Sequence, residues 1–84
     1  MYQIIFKKKA IKALEKMPRE IVDRFKSAFY DIANGNNAGL DIKSLSGLDG
    51  YRLRIGSYRA VYELDKGRLI VTVFNIGSRG GIYQ

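Results

Sequence analysis

The amino-acid sequence predicts an α+β domain with the element order β-α-α-β-β-β, in which an antiparallel two-helix hairpin covers one face of a mostly antiparallel sheet. Three features predict it. Apolar residues recur at helical spacing in the first half of the chain, and strict two-residue alternation dominates the second half. A stretch rich in Gly, Asn, Asp and Ser, residues 34 to 50, separates the two.

Tyr2, Ile4, Ile5 and Phe6 make a short opening strand. Ala10, Ile11, Leu14 and Met17 then recur on one helical face, with Lys8, Lys9, Lys12, Glu15 and Lys16 between them. Pro18 ends this helix and suits the first turn of the next, where its missing N–H is no loss. In the second helix Ile21, Val22, Phe25, Ala28, Phe29 and Ile32 form a continuous apolar stripe, closed by Asn34-Gly35 as a C-terminal cap. Residues 34 to 50 read as a connecting loop whose Ile42, Leu45 and Leu48 tuck against the core. Three strands complete a meander. Tyr51 to Ile55 alternates, Gly56-Ser57 is a two-residue hairpin with Gly where a type II′ turn needs it, and Tyr58 to Leu64 alternates again. A turn around Lys66-Gly67 leads into Arg68 to Ile76, the richest β-branched run in the chain.

So short a chain has surface enough for one hydrophobic core, so residues 1–84 form a single domain. The absence of cysteine excludes a disulfide framework and a thiolate metal site, and fits a reducing compartment. The N-terminus runs into Lys7, Lys8 and Lys9 too soon for a secretory signal, and no apolar stretch approaches the roughly 20 residues that span a membrane. A cytoplasmic protein with no membrane partner, no metal and no cofactor is expected. Fifteen Lys and Arg against eight Asp and Glu leave a formal charge of +7, which implies an anionic partner, nucleic acid first and an acidic protein second.

Strand periodicity says where the arginines point, because residues two apart share a face. Tyr51, Leu53, Ile55, Tyr58, Ala60, Tyr62 and Leu64 face the helices, so Arg52, Arg54 and Arg59 face away from them. With Gly56-Ser57 as the loop, Arg54 pairs with Arg59, and Arg52 sits opposite Val61. Like charges directly opposite each other destabilise a sheet by about 0.2–1 kcal/mol, so fold stability gives no reason for that pair, whereas an anionic ligand does. Continuing the ladder places Arg59 roughly opposite Phe74, whose ring either stacks on a base or guanidinium or joins Ile70 and Val61 in a minor second core. Arg79 follows the last strand, where Gly77 and Gly80-Gly81 free the backbone to bring it over the same face. Guanidinium forks bind phosphate oxygens bidentately, so this arrangement is a phosphate-binding face. With no histidine in the chain, any catalysis there rests on orientation and fixed positive charge rather than on a group titrating near pH 7.

At these residues the chain resembles the RelE/ParE superfamily of toxin–antitoxin toxins over essentially its whole length. The resemblance is carried by Leu48-Asp49-Gly50-Tyr51-Arg52-Leu53-Arg54-Ile55-Gly56-Ser57-Tyr58-Arg59-Ala60-Val61-Tyr62 and by Ile76-Gly77-Ser78-Arg79-Gly80-Gly81-Ile82-Tyr83. For RelE-type members it implies a ribonuclease that enters the ribosomal A site and cuts the mRNA codon by 2′-hydroxyl attack, leaving a 2′,3′-cyclic phosphate. It implies roles by position. Arg52 and Arg54 match the paired basic residues of the first hairpin strand, and Arg59 matches the arginine that holds the scissile phosphate. Arg79 matches the arginine that assists the leaving oxygen, and Tyr83 the tyrosine that stacks on a base. The implied partner, besides mRNA and the ribosome, is an acidic antitoxin whose helix covers the basic face or displaces an element of the site.

Two departures bear on the chemistry. Arg52 stands where the RelE type often carries lysine and, as a guanidinium, is a poor general base. Gly80-Gly81 replaces an Arg-Glu pair of many members. The ParE type, which inhibits DNA gyrase and is not a nuclease, and a nucleic-acid-binding module without catalysis are the alternatives.

Overall fold

The structure, a computed structural model, describes residues 1–45 and 50–78. Its elements are β1 (Gln3–Phe6), α1 (Lys8–Glu15), α2 (Arg19–Ala33), β2 (Asp41–Ser44), β3 (Gly50–Ile55), β4 (Tyr58–Asp65) and β5 (Ile70–Gly77). The strands form one sheet in the order β1-β5-β4-β3-β2. β1 runs parallel to β5, and every other neighbouring pair is antiparallel. The α+β class, the two helices and the β3-β4-β5 meander are as the sequence predicts.

The expected loop over residues 34 to 50 is corrected at its centre. Asp41–Ser44 is a strand, paired with β3 through Asp41 opposite Arg54 and Lys43 opposite Arg52. Asp, Lys and Ser have low strand propensity, and the pairing depends on the β3 edge rather than on local preference. Ile42 nevertheless packs against the core as expected, and Leu48 lies outside the described residues.

Alternation sorts the core. Leu53, Ile55, Ala60, Tyr62, Val71, Val73 and Ile76 are buried in one cluster with Ala10 of α1 and Phe25, Ala28, Phe29, Ile32 and Ala33 of α2. Phe29 is its hub, meeting Tyr62 edge-on at 5.4 Å, Phe6 edge-on at 5.8 Å and Phe25 at 6.5 Å. Burying each such ring contributes about 1.5–3 kcal/mol. α2 begins after Pro18 and ends at the Asn34 cap, where Gly35 takes φ +77° and donates its N–H to the Ile32 carbonyl. Among the described residues no helix is long and apolar enough to cross a membrane.

Candidate nucleic-acid interface

The β3-β4 hairpin sets the geometry of the face away from the helices. Gly56 adopts φ +59° while Ser57 keeps a negative φ, as a type II′ turn requires, so Ile55 pairs with Tyr58 and Arg54 with Arg59. Across the sheet, one row of side chains on this face runs Asp41, Arg54, Arg59, Gly77, and the next runs Lys43, Arg52, Val61, Asn75. These two rows bring together Arg52, Arg54, Arg59 and Lys43 with Asp41 as their one carboxylate. Glu63 and Asp65 of β4 lie farther along the strand, opposite Thr72 and Ile70, so the positive charge gathers at the hairpin end.

Each arginine has a different environment. The Arg52 side chain is 15% exposed, and its Nη2 donates to Asp41 Oδ1 at 2.6 Å. Its Nε is buried with no hydrogen-bond partner. Arg54 is exposed and donates through Nε to the Gly56 carbonyl at 3.1 Å, which leaves its terminal nitrogens free to bind. Arg59 is half-buried, makes no ion pair with a described residue, and has Gly77, without a side chain, as its neighbour on β5. The arrangement is two cationic forks held side by side plus a third clamped to a carboxylate. It can bind phosphate, and among the described residues its one carboxylate, Asp41, is engaged by Arg52. Asp41, assigned to a loop by sequence, is the residue that sequence reasoning missed here, and the alternation of Asp41-Ile42-Lys43 is the signal that marks it.

The expected pairing of Arg59 with Phe74 is corrected to Arg59 with Gly77. Val61 pairs with Asn75 but Tyr62 pairs with Val73, so β5 carries one extra residue, Phe74. Val73 and Ile76 both enter the core, three residues apart, and the bulge between them leaves Phe74 and Asn75 together on the open face. Phe74 is half-buried and is not among the residues packed against the core. Asn75 Oδ1 accepts the Ile76 N–H at 2.9 Å within the bulge. Arg79 and Tyr83 lie outside the described residues.

On the opposite face Tyr62 stacks on Tyr51 at 5.5 Å, and burial, with a further contribution from Tyr51, pushes its hydroxyl up to about 12. Among the described residues no group of three His, Cys, Asp or Glu side chains comes together to hold a metal ion.

Residues 4–83 match the family described as ParE toxin of type II toxin-antitoxin system, parDE. Among solved structures, the chain is similar to one in the archaeal RelE-RelB complex from Pyrococcus horikoshii, at 28% identity and a TM-score of 0.78, covering 94% of this chain and 96% of that one. It is similar to one in the RelB-RelE antitoxin-toxin complex from Methanococcus jannaschii, at 29% identity and a TM-score of 0.77, covering 94% of each. The intact E. coli RelBE toxin-antitoxin complex shares the fold, at 23% identity and a TM-score of 0.78 over 94% of this chain and 98% of that one. None of the curated proteins matches the chain.

Proposed function

The chain belongs to the ParE toxin family of type II toxin–antitoxin systems, within the RelE/ParE superfamily, and from that premise we propose that it is a cytoplasmic endoribonuclease toxin acting on translated mRNA in the ribosomal A site. The observation that carries the reading is the direct opposition of Arg54 and Arg59 on the open sheet face. A fold gains nothing from that repulsion, and a phosphate between the two forks removes it.

In the proposed reaction the 2′-oxygen forms a bond to the adjacent phosphorus as the bond from phosphorus to the 5′-oxygen breaks. The products are a 2′,3′-cyclic phosphate and a 5′-hydroxyl. The hydroxyl proton leaves to water and the departing oxygen regains one. Arg59 and Arg54 bind the scissile phosphate and stabilise the charge that builds on its oxygens. Arg52, a guanidinium paired with Asp41, orients rather than abstracts. Phe74 gives a flanking base an aromatic surface on the same face. Arg79 at the leaving oxygen and Tyr83 under a base enter on the family resemblance alone. A site built on fixed charge needs its substrate aligned from outside, which the ribosome supplies.

The partner is an acidic antitoxin, in line with the antitoxin complexes in which the similar chains were solved. Charge complementarity to a +7 chain makes its association fast and salt-sensitive. A gyrase-directed toxin is the second reading, favoured by the ParE description of the matched family. Single-turnover cleavage of mRNA on programmed ribosomes, run beside a gyrase supercoiling assay, separates the two. Cleavage that is lost in Arg59→Ala supports the ribonuclease, and inhibited supercoiling without cleavage overturns it.

A further inference from the structure

A cleft of about 490 Å³ opens at the hairpin end of the sheet, between α2 and the β3-β4 turn. Its volume falls in the range of small-ligand sites, about 300–1,000 Å³. α2 contributes Arg24, Ser27, Ala28 and Asp31 to its wall. These positions are spaced by three and four, so they form one stripe of the helix. The facing wall holds Arg54 and Gly56 of the hairpin, with Asp41 of β2 beside them.

The charges of this cleft are not all equivalent. Asp41 is neutralised by its ion pair with Arg52. Arg54 spends only its Nε, on the Gly56 carbonyl. Arg24 and Asp31 form no side-chain hydrogen bond or ion pair with a described residue. The free charged groups are therefore two guanidinium forks and one carboxylate, with the Ser27 hydroxyl beside them and Arg24 and Asp31 separated by roughly 10 Å along the axis at 1.5 Å per residue. The Arg24 fork with the Asp31 carboxylate a nucleotide's length away, and the Arg54 fork on the facing wall, match a nucleotide whose base presents N–H donors. A carboxylate with two oxygens is best met by two adjacent parallel donors, the N1–H and N2–H of guanine. Adenine, cytosine and uracil each lack that pair.

We infer that the cleft is a nucleotide subsite that selects guanine, with Asp31 accepting from the base edge and Arg24 and Arg54 holding a phosphate. Arg54 belongs both to this cleft and to the row that contains Arg59. The subsite thus adjoins the phosphate face, and as a guide for RNA it rests on the ribonuclease reading above.

The test is titration of the full, isotopically labelled chain with each of the four nucleoside monophosphates, followed through backbone amide signals, and then with short RNAs that contain or lack one guanine. GMP is expected to move the Ser27, Asp31 and Gly56 amides at lower concentration than AMP, CMP or UMP. Asp31→Asn should abolish the difference between GMP and AMP, and Arg24→Ala should weaken every nucleotide about tenfold. Both side chains lie toward the helix surface, and unchanged amide spectra away from α2 verify that each variant folds. Response to guanine-containing RNA but not to free GMP, with the same variant effects, supports the subsite with RNA as its source. Shifts confined to β3 and β4, or a guanine preference that survives Asp31→Asn, overturn it. Cleft shifts that persist in a protein without cleavage activity sink the ribonuclease reading and leave the subsite standing.

Discussion

Replacing Asp41 by Asn tests whether the clamp on Arg52 restrains the basic face. The bond is short, 2.6 Å, and its guanidinium is largely covered, but Asp41 is 56% exposed on an edge strand. A hydrogen bond to a charged group contributes about 1.5–3 kcal/mol when buried, whereas exposed ion pairs contribute about 0–1 kcal/mol. Exposure of Asp41 places this pair near the boundary, so Asp41→Asn, which keeps a neutral acceptor, should cost about 1 kcal/mol. For a domain of this size that lowers Tm by roughly 4–8 °C. RNA binding should move the other way. The formal charge rises from +7 to +8 on loss of one carboxylate, and Arg52 is released toward a phosphate. One added phosphate contact on a single strand steepens the slope of log K against log salt by about 0.7, which is about fivefold tighter binding at 0.1 M salt. Thermal melts beside anisotropy titrations of a short RNA at several salt concentrations measure both effects. A lower Tm with an unchanged salt slope would refute the reasoning, because Asp41 would then be a structural partner and Arg52 no part of the RNA face.

Arg59→Ala removes a repulsion of about 0.2–1 kcal/mol, so melting should stay level or rise slightly while ribosome-dependent cleavage falls about 10²–10³-fold; strong destabilisation would make Arg59 structural. Phe29→Ala empties the hub shared by Phe6, Phe25 and Tyr62 and should cost about 3–5 kcal/mol in urea unfolding, with a cost under 1 kcal/mol contradicting the core as described. Tyr62 is raised from 10.0 to about 12 in the fold, so the folded state holds its proton more tightly than the unfolded chain. That contribution is fully present below pH 10 and is lost as pH rises through about 12, a fall of at most roughly 2–3 kcal/mol. Stability measured across that window should decline less in Tyr62→Phe, and an equal decline would place the titration elsewhere.

The parts of the fold legible in the sequence are those whose pairing is decided locally. Gly56-Ser57 fixes the turn type, the turn fixes the register, and the register sets Arg54 against Arg59. The misses are pairings decided at a distance. Asp41-Ile42-Lys43-Ser44 has the alternation of a strand but little intrinsic preference for one, and only the exposed edge of β3 makes it one. The run Arg68 to Ile76 reads as an unbroken strand, yet Val73 and Ile76 are both claimed by the core beneath α1 and α2, and a continuous ladder cannot supply two inward residues three apart. The bulge at Phe74 resolves that conflict, with Asn75 as the polar residue that stabilises it. The turn before β5 also takes four residues, 66 to 69, and carries Leu69 at φ +58°. The register of Arg59 therefore could not be counted through the second turn as it could through the first.

The position of the arginine pair in the sheet connects the fold to the proposed chemistry. β4 is the middle strand, paired on both sides, and β3 lies between β4 and β2, so neither backbone can swing away to relieve the repulsion between Arg54 and Arg59. Beneath them Tyr62 of β4 and Leu53 of β3 are fixed in the core against α2, with Phe29 edge-on to the Tyr62 ring. A repulsion of at most about 1 kcal/mol is small beside the burial of such rings, each worth about 1.5–3 kcal/mol, so the core can hold two cations in place before any ligand arrives. Charge held in advance needs no reorganisation when negative charge develops on a phosphate, and that kind of stabilisation requires no titrating group. A chain without histidine, whose Arg52 is paired with Asp41, is suited to that mode of catalysis and to a substrate aligned by a larger assembly.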